Sequence, residues 1–270
     1  MTAIQAIVLG VIQGLTEFLP VSSSGHLVFV PKFLGWADQG LEFDAIIHIA
    51  TLGAVIFFFR KKIWALLKSL FHFRSQSVED KAQRKFIFFL VLSTLPAGIF
   101  GFFANNWIEV NLRAAWIVGF NMIFWGIILG ISEWYRKKQG EGKNLDQTTV
   151  KHSILMGIAQ ALALFPGTSR SGITITAGMF SGLTKKAAAE YSFLMSIPII
   201  AMAGLLHVVE IIQNGFISTS LSTLGIGFFS AFLSGMFAIW FLMKIIEKWS
   251  LRPFVYYRII IGILILIFLV

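Results

Sequence analysis

The sequence predicts an all-α polytopic membrane protein, and three observations carry that reading. The chain of 270 residues is 57% hydrophobic and only 13% charged, with 28 phenylalanines. Apolar runs of 18 or more residues follow one another, each long enough to cross a bilayer core. The basic residues are clustered between those runs. Of 22 Lys and Arg, eight lie in 60–85, five in 134–152, two at 185–186 and three in 244–252. The net charge of +9 therefore follows membrane topology, and no nucleic acid is expected as a partner. The absence of cysteine excludes a disulfide scaffold, thiolate zinc sites and cysteine-phosphatase chemistry. No basic stretch follows Met1, so no cleavable signal peptide is expected.

Spanning helices are expected at 42–60, 86–104, 114–133, 188–212, 222–244 and 253–270. The positive-inside rule places loops 60–85 and 134–152 in the cytoplasm and leaves 31–41, 105–113 and 213–221 outside. Segment 153–187 carries basic residues at both ends, which implies that it enters and leaves on the cytoplasmic side. This segment and the start of the chain are read as re-entrant helical hairpins, one from each face. The expected architecture is thus six transmembrane helices plus two re-entrant hairpins in an inverted-topology repeat. Residues 1–133 form the first copy, 134–152 a cytoplasmic linker and 153–270 the second copy. Each copy holds three spans, an odd number, so the second is inverted relative to the first.

The two hairpins are marked by matching hinges, Pro20-Val21-Ser22-Ser23-Ser24-Gly25-His26 and Pro166-Gly167-Thr168-Ser169-Arg170-Ser171-Gly172. Gly10-x-x-Gln13 precedes the first and Gly157-x-x-Gln160 the second, with Phe18 and Phe165 just before the breaks. The stretches align at an offset of 147 residues, with one residue of slack around the proline; Glu42-Phe43 and Glu190-Tyr191 add a weaker match. A broken helix frees backbone groups that need partners, so lipid tolerates it only where it is buried or lines a cavity. Paired breaks in two halves point to one shared binding site. A lone proline or glycine would read as a kink or a close-packing position. Glu17, His26 and Arg170 at membrane depth change that reading, because ionisable residues there are expensive.

The residue types suit phosphate chemistry. Ser, Thr and Gly leading into a helix N-terminus present N–H and hydroxyl groups to an anion. Arginine adds a planar fork of donors. A carboxylate can hold Mg²⁺ or Ca²⁺ or act as a base, and serine or histidine can attack phosphorus. Gln13 and Glu17 are four apart and share a helix face. Together these residues describe a phosphoryl-transfer site open to a lipid-borne substrate.

At these residues the chain resembles the bacterial undecaprenyl-diphosphate phosphatase family, also called the bacitracin-resistance protein family. The resemblance rests on Gln13-x-x-x-Glu17, on Pro20 through His26, and on Pro166-Gly167-x-Ser169-Arg170-Ser171-Gly172-x-Thr174, and it covers essentially the full chain. It implies hydrolysis of the C55 isoprenoid diphosphate to its monophosphate, which recycles the carrier used in peptidoglycan synthesis. It also implies bacitracin resistance, a divalent cation (Mg²⁺ or Ca²⁺), and location in the bacterial plasma membrane with the site facing outward. Glu17, Ser23, His26 and Arg170 match the family's catalytic positions, with Glu17 as metal ligand or general base and Arg170 as neutraliser of the diphosphate. Ser23 is the preferred nucleophile, with His26 or metal-activated water as the alternatives. Gln13, Ser22, Ser24, Gly25, Ser169 and Thr174 are the expected substrate- and phosphate-binding positions. The family accepts Glu or Gln at the first motif position, so Gln13 supplies no obligatory carboxylate.

The expected partners are a polyprenyl diphosphate and membrane lipids, with a homodimer left open. Among the remaining polar residues, Asp44 and His48 border the outer end of the first span, and Glu190 braces the second hairpin. Arg258 is expected to pair with a carboxylate or a carbonyl, His72 and His152 to lie on solvated loops, and His207 and Glu210 to cap their helix. A carrier or flippase is the principal rival reading, since broken helices in inverted repeats also serve transport. The acid-phosphatase-like lipid phosphatases are disfavoured, because no histidine follows Ser169-Arg170 at their spacing. A channel is disfavoured by the mixed charges of the hinges.

Overall fold

Backbone in a hydrocarbon phase has to hydrogen-bond to itself, and apolar sequence of this length does so as helix. The computed structural model, described over residues 1–72, 77–112, 114–214 and 219–270, is a bundle of eleven α-helices among those residues. The first hairpin is α1 (Ala3–Phe18) and α2 (Ser23–Phe33), and the second is α7 (Val150–Leu162) and α8 (Arg170–Phe180). Between them lie α3 (Leu41–Phe58), α4 (Arg60–Phe71), α5 (Val78–Asn111) and α6 (Ala115–Lys138). After them come α9 (Lys185–Asn214), α10 (Leu221–Ile245) and α11 (Arg252–Phe268).

Among the described residues, four stretches are long and apolar enough to cross a membrane, namely Val78–Ala104, Ala115–Lys138, Lys185–Leu206 and Leu221–Ile245. The pair α3 and α4, bent by 78° at Phe59, would make a fifth. The protein is therefore a multi-pass membrane protein. The sixth expected span coincides with α11, whose 17 residues rise about 25 Å.

The structure departs from expectation at α4. Residues 60–72 were expected as cytoplasmic loop, yet Arg60–Phe71 is helical. Its exposed stripe of Trp64, Leu67 and Phe71 runs beside Arg60, Lys61 and Lys68. That mixture of an apolar stripe and basic flanks is the pattern of a helix lying in a membrane interface. Residues 73–76 of the expected loop, and the side chains of His207 and Glu210, lie outside the described part.

Helix partners are exchanged between the two halves of the chain. α1 packs along α10 and α7 along α5, while α3 meets α9 and α6 meets α11. Small residues allow the first of these contacts. A Cβ on Gly10 would lie 2.6 Å from the Gly227 carbonyl, and one on Gly14 would run into Ser234 and Ala231. The α6–α11 crossing is just as close, since a Cβ on Gly119 would sit 2.9 Å from the Gly262 carbonyl. Such spacing is the membrane route to close backbone approach. Gly14→Val should push α1 from α10 and lower stability by about 2 kcal/mol, by analogy with overpacked cores. The melting temperature in detergent measures this, with Gly225→Ala as the control, because nothing lies within 4 Å of a Cβ added there.

Candidate functional site

Both hairpins break in the same way. The first residue before each second helix, Ser22 in one and Ser169 in the other, has positive φ (75° and 71°), and these are the two non-glycine residues with positive φ among those described. Each serine caps its helix by accepting from a glycine N–H, Gly25 to Ser22 at 3.4 Å and Gly172 to Ser169 at 3.1 Å. Each also pairs with the serine two residues on, Ser24 at 3.3 Å and Ser171 at 3.4 Å. A strained conformation of this kind persists only where its surroundings hold it, and it is commonest at functional sites. The tips also touch each other. Gly167 N–H donates to Ser24 Oγ at 3.4 Å, and Ser171 Oγ donates to the Leu19 carbonyl at 3.0 Å.

Glu17 lies at the meeting point of the hairpins. The final turn of α1 turns it inward, and only 8% of it is exposed. Its Oε1 accepts from Arg170 at 2.9 Å, across 153 residues of sequence. Its Oε2 accepts from Ser23 Oγ at 2.8 Å and from Gln13 Nε2 at 3.1 Å. Arg170 also donates to the Ser192 carbonyl at 3.4 Å. A guanidinium has five N–H groups, so these two bonds leave donors for an anion. Ser23, at the N-terminus of α2, is half-buried and already has a carboxylate as the acceptor of its proton. Gln13 Oε1 is buried without a hydrogen-bond partner beside this carboxylate.

His26 faces elsewhere. Its Nδ1 lies 2.7 Å from the Ser22 carbonyl and its Nε2 2.7 Å from the Tyr257 hydroxyl. It makes no hydrogen bond to Ser23 or Glu17 among the described residues. Of the expected phosphate-binding groups, Ser24 is exposed, while Ser22, Gly25 and Ser169 are engaged in the two caps. Thr174 is fully buried, bonded to the Arg170 carbonyl at 2.7 Å and to Ser192 Oγ at 2.6 Å. Among the described residues no group of three or more His, Asp or Glu is placed to hold a metal. Hard oxygen donors are nonetheless available in Glu17 and the unpartnered Gln13 Oε1. With phosphate oxygens from a substrate, this set suits Mg²⁺, which is commonly bound by one or two carboxylates plus substrate phosphates.

The residues around the site sort as follows. His48 Nδ1 donates to the Asp44 carbonyl at 2.7 Å, not to its carboxylate, which accepts from Gln39. Glu190 pairs with Lys62 of α4 at 2.6 Å. His152, expected on a solvated loop, is 1% exposed and closes the capping box of α7 with Thr149. The sequence gives too little warning there, because a histidine beside Lys151 also fits a solvated face.

Comparison with known proteins bears on this geometry. The family model for bacitracin resistance protein BacA matches residues 6–264. The chain is 42% identical over 271 residues to undecaprenyl-diphosphatase 1 of Pseudoalteromonas translucida (strain TAC 125), covering 100% of this chain and 99% of that protein. It is also 42% identical to an undecaprenyl-diphosphatase of Aliivibrio salmonicida (strain LFI1238), covering 97% and 96%. An undecaprenyl-diphosphatase of Campylobacter curvus (strain 525.92) is again 42% identical, at 98% coverage of both chains. The chain belongs to the BacA family.

In this BacA family member Arg258 pairs with carbonyls, as expected; sequence reasoning missed that those carbonyls belong to both tips. Arg258 of α11 is fully buried and points its guanidinium at carbonyls alone. It donates to Thr168 at 2.9 Å, Met122 at 3.1 Å, Gly167 at 3.2 Å, and Pro20 and Asn121 at 3.4 Å. Asn121 Nδ2 in turn donates to the Pro166 carbonyl at 2.8 Å. A lone Arg and a lone Asn in apolar runs were the available signals; Tyr257 gave none. Replacing Arg258 by Met would leave several buried carbonyls unpaired, at about 1–3 kcal/mol each. Arg258→Met should therefore lower stability by about 3 kcal/mol or more, read as a fall in the melting temperature of the detergent-solubilised protein.

Proposed function

We propose that this protein hydrolyses undecaprenyl diphosphate to undecaprenyl phosphate and inorganic phosphate, recycling the lipid carrier of peptidoglycan synthesis and so conferring bacitracin resistance. The observation that carries the proposal is the convergence of Ser23 and Arg170, one from each hairpin, on the Glu17 carboxylate. Membership of the BacA family, and the names of its relatives, supply the substrate class. Ser23 Oγ attacks the terminal phosphorus as its proton passes to Glu17 Oε2, and the bond from that phosphorus to the bridging oxygen breaks. The lipid monophosphate departs with the electron pair of that bond. Water then cleaves the phosphoserine to release inorganic phosphate and restore the hydroxyl. Arg170 offsets charge on the phosphoryl oxygens, the dominant need in such transfers. Since both nitrogens of His26 are already bonded, direct attack by histidine is the weaker alternative.

A divalent cation fits this reading, held by Glu17 and Gln13 Oε1 and supplying further charge neutralisation when bound. Phosphate release from C55 diphosphate by purified protein tests the reaction and separates it from a carrier, which would release none. Chelator should abolish the activity, and added Mg²⁺ or Ca²⁺ should restore it. Arg170→Ala and Glu17→Ala should each lose about 10³-fold or more in kcat, as expected for charge stabilisation of phosphoryl transfer. Arg170→Lys should recover little, because lysine lacks the fork, and Gln13→Ala should cost much less. Substantial turnover in Ser23→Ala would reject serine attack.

The exchanged helix partners and the matching strained caps also support the reading of 1–133 and 153–270 as inverted copies about the linker 134–152. On this reading, with six spans and α11 among them, the site faces outward from the bacterial plasma membrane. Single cysteines in this cysteine-free chain test that placement. An impermeant thiol reagent should label Asp38→Cys and spare Lys143→Cys in intact cells; the reverse pattern would overturn it.

A further inference from the structure

The His26–Tyr257 contact joins α2 to α11 across 231 residues of sequence. The two rings are stacked, with centroids 5.5 Å apart and planes 4° apart. The hydrogen bonds decide the tautomer. A carbonyl oxygen can only accept, so the 2.7 Å contact with the Ser22 carbonyl requires the proton of His26 on Nδ1. In the neutral ring Nε2 then carries the lone pair, and the Tyr257 hydroxyl is its donor. His26 is 4% exposed, whereas Tyr257 is 41% exposed. The phenol therefore stands between the buried imidazole and the open side of the protein. Arg258, the next residue of α11, is the cation beside this pair and holds the tips of both hairpins.

We propose that Tyr257 is a positioning residue for the reaction. Its hydroxyl donates to Nε2 and fixes the direction of the His26 ring, whose Nδ1–H braces the Ser22 carbonyl of the hinge that presents Ser23. The inference rests on the phosphatase reading for its kinetic arm, while its structural arm stands independently. The Ser22 carbonyl sets the tautomer, and the phenol then holds the other nitrogen in place. Losing the phenol oxygen leaves the ring stacked but frees Nε2.

Tyr257→Phe tests the proposal with little risk to folding, since it keeps the stacked ring. Phosphate release from C55 diphosphate should show kcat reduced about tenfold or more, because freeing the His26 ring loosens the Ser22 hinge that positions Ser23. KM should change by less than about threefold on the same reasoning, because the phenol acts through His26 and not on the lipid. Uniform ¹⁵N labelling of histidine, with the His26 signals assigned by their loss in His26→Ala, reads the tautomer directly. Wild type should show Nδ1 protonated and Nε2 unprotonated, and Tyr257→Phe should keep that tautomer with the Nε2 signal displaced by loss of its hydrogen bond. An unchanged kcat, a loss confined to KM, or an unchanged Nε2 signal would each overturn the proposal. If wild type itself releases no phosphate, the hydrolase reading fails, and the ¹⁵N spectra still decide the role of Tyr257.

Discussion

Everything at the centre of this protein depends on satisfying backbone groups that two broken helices release inside an apolar medium. A continuous helix hides its carbonyls along its own axis. α1 and α7 stop partway, at Phe18 and Leu162, and the carbonyls that follow have no helical partner. Arg258 answers that demand for both tips together, with Asn121 reaching Pro166. Serine hydroxyls close the rest, since Ser22 and Ser169 cap their helices and Ser171 reaches across to Leu19. Only when these groups are paired can the hinges stay open enough to present side chains. Glu17, Ser23 and Arg170 then meet because the backbone behind each is already satisfied.

The two matching hinges are unequal in their chemistry. At the offset of 147, Ser23 corresponds to Arg170, so the two hinges contribute a hydroxyl and a cation from equivalent places. Glu17 corresponds to Leu164, and His26 to Ile173. The glutamines are retained, yet Gln13 bonds Glu17 while both amide atoms of buried Gln160 lack partners. Symmetry in the backbone therefore brings the tips together, and asymmetry in the side chains makes one composite site. Two identical hinges would have faced like with like, and the opposed charges that bind Arg170 to Glu17 would be absent.

Much of this was legible in the sequence, for reasons that differ by residue. Helical class and the positions of α5, α6, α9 and α10 follow from apolar runs bounded by basic clusters, signals that need no tertiary knowledge. The hinges were legible because polar residues in such runs are expensive. α4 was missed because Arg60-Lys61-Lys62 reads as a cytoplasmic stop, and the apolar spacing of Trp64, Leu67 and Phe71 after it is short. The extension of α5 back to Val78 was missed for the same reason, since charges mask a helix that continues beyond the bilayer. Among the site residues, proximity of Glu17 to Arg170 followed from the repeat. The direction of His26 did not, because Tyr257 looks like any interfacial aromatic until α11 is placed against α2.

The position of Arg258 along the chain gives the clamp a direction in time. It follows Pro20 by 238 residues and Thr168 by 90. Synthesis runs from the N-terminus, so both hairpins enter the membrane well before the guanidinium that closes them exists. Maturation of the centre thus waits on the insertion of the last helix. A chain cut short before α11 would keep most of its helices and its apolar exterior, and it would lack Arg258, whose guanidinium reaches the carbonyls of both tips.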